Sequence, residues 1–178
     1  QFAQDALLSR RIEAGQLQAA HIDHLAREVS AFHARIAVAD PMSHLGTPEM
    51  IYQPVQENVQ HLCAAIDDPV RQAQVRTLEA WCQRTFAARR ADFVTRKQDG
   101  CVRECHGDMH LGNMILLDDQ VVIFDCIEFN DNFRWIDVAS DVAFLTMDLE
   151  DRGRPDLART IPEAARSVLN FGTRDLCG

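Results

Sequence analysis

A mainly α-helical domain with one small β-hairpin, an α+β arrangement, is what the sequence predicts, and three patterns carry that prediction. Ile22, Leu25, Val29, Phe32 and Ile36 recur at three- and four-residue steps, which lines them along one buried face of a helix. Gly46-Thr47-Pro48 and Asp68-Pro69 are helix-start signals, each followed by a long stretch without a breaker cluster. The runs Met114 to Leu117 and Val121 to Phe124, separated by Asp118-Asp119-Gln120, have the form of a hairpin closed by a three-residue loop.

Taken in order, Gln1-Phe2 leads at once into helix-forming sequence, and the first amphipathic helix runs to Ile36 with His33 as a core or helix-contact residue. Asp40-Pro41 ends it. A second helix is expected from Pro48 to about Ile66. A third runs from Pro69 to near Gly100, with Val75, Leu78, Cys82, Phe86 and Phe93 on one side. After the hairpin, Asp137 precedes Val138, Val142, Leu145 and Leu149, so an N-cap role explains it. Arg154-Pro155 opens a last helix with Leu157, Ile161 and Val168, while Asn170 to Gly178 has little pattern.

Composition narrows the function classes. The 178 residues fit one domain, 47% hydrophobic and 25% charged, with no long apolar segment or signal-peptide pattern. A cytoplasmic protein without a membrane partner is the expectation. Net charge is −9, and residues 101–151 alone hold twelve acids against two arginines. Such acid density argues against a nucleic-acid partner and fits either a divalent-cation site or a solvated face. Cys63, Cys82, Cys101, Cys105, Cys126 and Cys177 lack CxxC spacing and read as reduced core residues.

Chemistry concentrates in His106-Gly107-Asp108-Met109-His110-Leu111-Gly112-Asn113, followed twelve positions later by Asp125. Phosphoryl transfer needs a carboxylate to orient or deprotonate the attacking hydroxyl, and oxygen ligands for the cations that neutralise phosphate. Asp108 supplies the first; Asn113 and Asp125 supply the second. Pairing Leu117 with Val121 would put Asn113 directly opposite Asp125, with β-carbons roughly 4.5–5.5 Å apart. A hard cation could then be clamped by both.

The pattern HxDxxxxN, with Gly107 where protein kinases have Arg, resembles the aminoglycoside phosphotransferase and choline-kinase-like branch of the protein-kinase-like fold. The stretches Val122 to Asp131 and Ile136 to Ala139 resemble a bacterial subgroup that is in some cases joined to a P-loop kinase domain. That resemblance implies an ATP-dependent kinase for a small-molecule hydroxyl group, using Mg2+. Asp108 would be the catalytic base, and Asn113 and Asp125 the ligands of metal and nucleotide phosphates. His106 would be a structural residue beneath the site. His110 has both an active-site and a packing reading, and Glu128 and Asp131 read as surface carboxylates ahead of any assistance to metal or substrate. Asp137, in a DxA context, would tie the catalytic loop's backbone in place. Ala31-Phe32-His33-Ala34 resembles the helix upstream of the loop.

A kinase of this fold also has an N-terminal lobe with a glycine-rich loop and a strand lysine. The sequence contains no GxGxxG and no GxxxxGK[ST], and Lys97 is its single lysine. The expectation is therefore a C-terminal lobe spanning 1–178, with the catalytic loop and metal hairpin at 101–129 and the ATP lobe absent. On its own such a lobe would be inactive. Two other readings stay open: a metal-dependent hydrolase using His106, Asp108, His110 and Asp125, which leaves Asn113 unexplained, and a non-catalytic kinase-like binding module.

Overall fold

The computed structural model describes residues 3–161. A short 3-10 turn (Gln4–Ala6) and α1 (Leu8–Glu13) lead into α2 (Ala19–Arg35), whose Ile22, Leu25 and Val29 are fully buried. Ile36 lies just past the helix as its C-cap. Next comes α3 (Pro48–Ala65), where the Thr47 hydroxyl accepts from Met50 N–H at 3.4 Å and Pro48 occupies a position that has no helical hydrogen bond to lose. The same device starts α4 (Pro69–Gln98): the Asp68 carboxylate accepts from Arg71 N–H at 2.8 Å.

The two long helices pack on each other through a thin seam in which Tyr52 stacks on Phe86 with ring centroids 4.3 Å apart. Val75 is buried there, but Leu78, expected on the same side, is 48% exposed. The reason is angular: Leu78 lies away from the narrow arc that Val75, Cys82, Phe86 and Phe93 share, and a two-helix seam covers no more than that arc.

The hairpin forms, but not in the expected register. Strand β2 (Met114–Leu117) pairs with β3 (Gln120–Ile123) through Leu117↔Gln120 and Met114↔Ile123. Its loop is the two residues Asp118 and Asp119, both left-handed at φ 48° and 60°, and such a turn matches the twist of the strands better than a longer loop. Asn113 therefore faces Phe124, whose N–H donates to Asn113 O at 3.0 Å, and the expected Asn113–Asp125 cross-strand pair is corrected. A second ladder, β1 (Val102–Glu104) with β4 (Trp135–Asp137), had no sequence signal, since three-residue strands are too short to show alternation. The one-turn α5 (Asp131–Arg134) and then α6 (Val138–Asp151) flank β4. Residues 155–161 are again helical, while Val168 and Cys177 lie outside the described residues.

A single core joins α1, α2, β2, α6 and the last helix, through Leu8, Leu25, Met114, Leu145, Leu149 and Ile161. Met109 and Leu111, from the middle of the His106 to Asn113 motif, belong to it and are fully buried. Among the described residues, no helix is long and apolar enough to cross a membrane.

Candidate active site

Alternation shapes the loop from His106 to Asn113. Met109 and Leu111 point into the core, while Asp108 and His110, each just ahead of one of them, stand half-buried on the open side. Gly107 is dictated by close approach: at φ +83°, a β-carbon there would meet Phe133 O at 2.5 Å. An arginine at this position could not fit.

His106 is 4% exposed and works as a brace beneath the site. Its Nδ1 accepts from Asp108 N–H at 3.3 Å, which leaves Nε2–H to donate to Phe124 O at 2.8 Å. It connects the backbone of Asp108 to the residue before Asp125.

The backbone of the loop is fastened by Asp141, not by Asp137 as the resemblance implied. Asp141 is 1% exposed; its Oδ2 accepts from His106 N–H at 3.0 Å and its Oδ1 from Gly107 N–H at 2.9 Å. His33 Nε2 lies 3.1 Å from the same Oδ2, completing a buried set of donors for the charge. Asp137 instead caps α6 through Ala139 N–H at 2.8 Å and takes two hydrogen bonds from Arg96, at 2.6 and 2.8 Å. Two turns along α6, Asp148 accepts from Leu111 N–H at 2.8 Å and from Arg152 Nε at 2.9 Å. One helix therefore holds both ends of the loop. Asp141 and Asp148 were missed in the sequence; the signal for Asp141 is a carboxylate set on the apolar stripe of Val138, Val142 and Leu145. A charge on a core stripe implies buried donors waiting for it.

Among the expected site residues, Asp108 and Asn113 come together. Asn113 is 7% exposed, and its Nδ2 donates to Asp108 O and to Asp108 Oδ2, each at 3.1 Å. With the amide nitrogen so engaged, the amide oxygen is left for a hard cation. Asp125 is exposed, left-handed at φ 60°, and has no hydrogen-bond or ion-pair partner among the described residues. Both groups fit a magnesium ion chemically: one uncommitted amide oxygen and one uncommitted carboxylate. Glu128 and Asp131 are exposed and have no ion pair among the described residues. A cavity of about 230 Å³ adjoins the loop at Gly107, walled mainly by Met50, Ile127, Phe133, Trp135 and Phe144.

Other polar groups are accounted for structurally. Lys97, buried, donates to Ser43 O. Cys63 and Cys126 are exposed, correcting the expectation of core cysteines, whereas Cys105 is buried. Burial, reinforced by Asp141 and Asp137, pushes the Cys105 thiol well above its usual range. His33, Cys105 and Asp141 bring possible ligand atoms within 4.8 Å of one another, but both Asp141 oxygens are taken by N–H donors and the group is a hydrogen-bonded knot. The hydrolase set loses His106, both of whose ring nitrogens are engaged.

Comparison with known proteins follows the same lines. The sequence matches the phosphotransferase enzyme family over residues 4–176. Uncharacterised proteins of Mycobacterium bovis and Mycobacterium tuberculosis are each 29% identical over 150 residues, 84% of this chain, and the match spans 30% of their own length. A solved glucosamine kinase structure shares the fold, with a TM-score of 0.50 and 23% identity over 92% of this chain and 44% of that one. The chain belongs to the phosphotransferase enzyme family and has a kinase-like fold.

Proposed function

We propose that this chain is the catalytic lobe of an ATP-dependent kinase that phosphorylates a hydroxyl group of a small molecule. The observation that carries the reading is the Asp108–Asn113 pair, held 3.1 Å apart in a loop whose two ends are fastened to α6. Asp108 orients the acceptor hydroxyl and takes its proton as the hydroxyl oxygen bonds to the γ-phosphorus and the bond to the ADP oxygen breaks. Asn113 and Asp125 would hold magnesium, which when bound neutralises the charge of the phosphates. Rigid fastening matters because displacing a reacting group by even about 1 Å can lower the rate on the order of a hundredfold.

Nucleotide positioning is assigned to a further lobe of a longer polypeptide, in which a P-loop kinase domain could be a fused partner. Under this reading the 178-residue chain alone binds magnesium or manganese weakly and does not turn over ATP. The test is a radiolabelled ATP assay with a longer polypeptide carrying this chain and a nucleotide lobe, over amino sugars including glucosamine, aminoglycosides and amino alcohols. Transfer should be lost in Asp108→Asn and in Asp125→Asn alike. Full activity in Asp108→Asn would remove the base assignment.

A further inference from the structure

We propose that His110 is a positioning residue that, together with Asn113, occupies Oδ2 of Asp108 and so assigns proton uptake to Oδ1. The idea rests on the kinase reading for the identity of the proton donor, but its geometry stands apart from that reading.

Three observations converge on the imidazole. Gly112 N–H donates to His110 Nδ1 at 3.0 Å, so in the neutral ring the proton sits on Nε2. That nitrogen lies 3.4 Å from Asp108 Oδ2, the same oxygen that accepts from Asn113 Nδ2 at 3.1 Å. Oδ1 has no hydrogen bond among the described residues. The carboxylate is thus asymmetric: one oxygen takes the Asn113 hydrogen bond and has the imidazole nitrogen near it, and the other is free for a hydroxyl. The contact at 3.4 Å is longer than a good hydrogen bond, as catalytic contacts commonly are before substrate draws them together.

The ring's placement is built in on both sides. A β-carbon on Gly112 would stand 2.7 Å from His110 Cε1 and 2.8 Å from Nδ1, so only glycine lets the imidazole sit on that amide. From α6, the Phe144 ring lies beside it with centroids 6.4 Å apart. Glycine and aromatic flank His110 in this orientation, and the tautomer follows from the amide beneath it.

Two measurements test this. Long-range nitrogen–proton NMR of the 178-residue chain, on neutral imidazole, should show His110 as the Nε2–H tautomer, and Gly112→Ala should abolish that single state. An Nδ1–H tautomer in the unaltered chain would overturn the proposal whatever the enzyme does. In the active longer polypeptide, His110→Ala should lower kcat about tenfold, the order expected for one charge-assisted hydrogen bond, with KM for ATP within about twofold. His110→Gln, whose amide can donate to Oδ2 from a side chain of similar reach, should recover part of that loss. Unchanged kcat in both variants, or a loss confined to KM, would overturn the positioning role. Absence of any phosphoryl transfer in the unaltered polypeptide would instead defeat the kinase reading, and the tautomer would still decide the geometry.

Discussion

The α2–α6 platform and the α3–α4 pair are both helical, yet they are ordered by different means. On the platform, Ile22, Leu25, Leu145 and Leu149 are fully buried, and polar ties from Asp141 and Asp148 cross to a loop some 35 residues away in sequence. In the 18 and 30 residues of α3 and α4, only Pro48, Val59, Val75 and Lys97 are buried, while Trp81 is 56% exposed. Local signals start those two helices and a narrow aromatic seam joins them. Stability within one fold is therefore uneven, highest where apolar burial and long-range hydrogen bonds coincide. The loop that carries Asp108 is attached to the strongly ordered half.

The largest expected effect is at Asp141. Asp141→Ala leaves two loop N–H groups and buried His33 without their acceptor, and should lower unfolding free energy by about 4 kcal/mol and abolish any transfer activity. Urea unfolding measures the first. A loss below about 1 kcal/mol would mean that the loop is held elsewhere. Leu145→Ala, in the platform core, should reduce stability by about 3 kcal/mol through lost burial and a cavity. Val75→Ala, in the seam of α3 and α4, should reduce it by about 1 kcal/mol, and equal losses at the two positions would erase the contrast.

A pH effect of similar size separates the halves further. Cys105 stays a neutral thiol in the folded protein, whereas in the unfolded chain it ionises near its ordinary 9.0. Its folded pKa is raised, so its contribution is fully present below pH 9.0 and declines as pH rises above it, by about 1 kcal/mol per pH unit. Cys105→Ala should flatten this alkaline limb of stability; an identical limb would show that the thiol is not protected. Trp81→Ala gives the smallest change, within about 0.5 kcal/mol, because its side chain is already largely in water. A much larger loss would show that α4 is anchored through that face.

Legibility followed the range of the interactions. Thr47-Pro48 and Asp68-Pro69 announced α3 and α4 because a cap acts over three residues, and the spacing in α2 revealed its buried face. The Asp108, Asn113 and Asp125 spacing could be read for the same reason: residue types at fixed intervals carry a family resemblance before any fold is known. Register was less legible, since Asp118-Asp119-Gln120 fits a two- or a three-residue loop, and only the left-handed conformations of both aspartates decide between them.

What the sequence by itself determined was the helical framework, the hairpin and the motif that carries the family resemblance, all set by local propensity, capping and short-range pattern. What tertiary structure alone decided was which carboxylate holds the loop, where Asp125 stands relative to Asn113, and which oxygen of Asp108 is left free. Each of those depends on groups far apart along the chain, His33 and Asp141 by 108 residues, being brought within hydrogen-bonding distance. A buried donor has to find an acceptor, but the sequence does not say which of several nearby aspartates will be aimed at it.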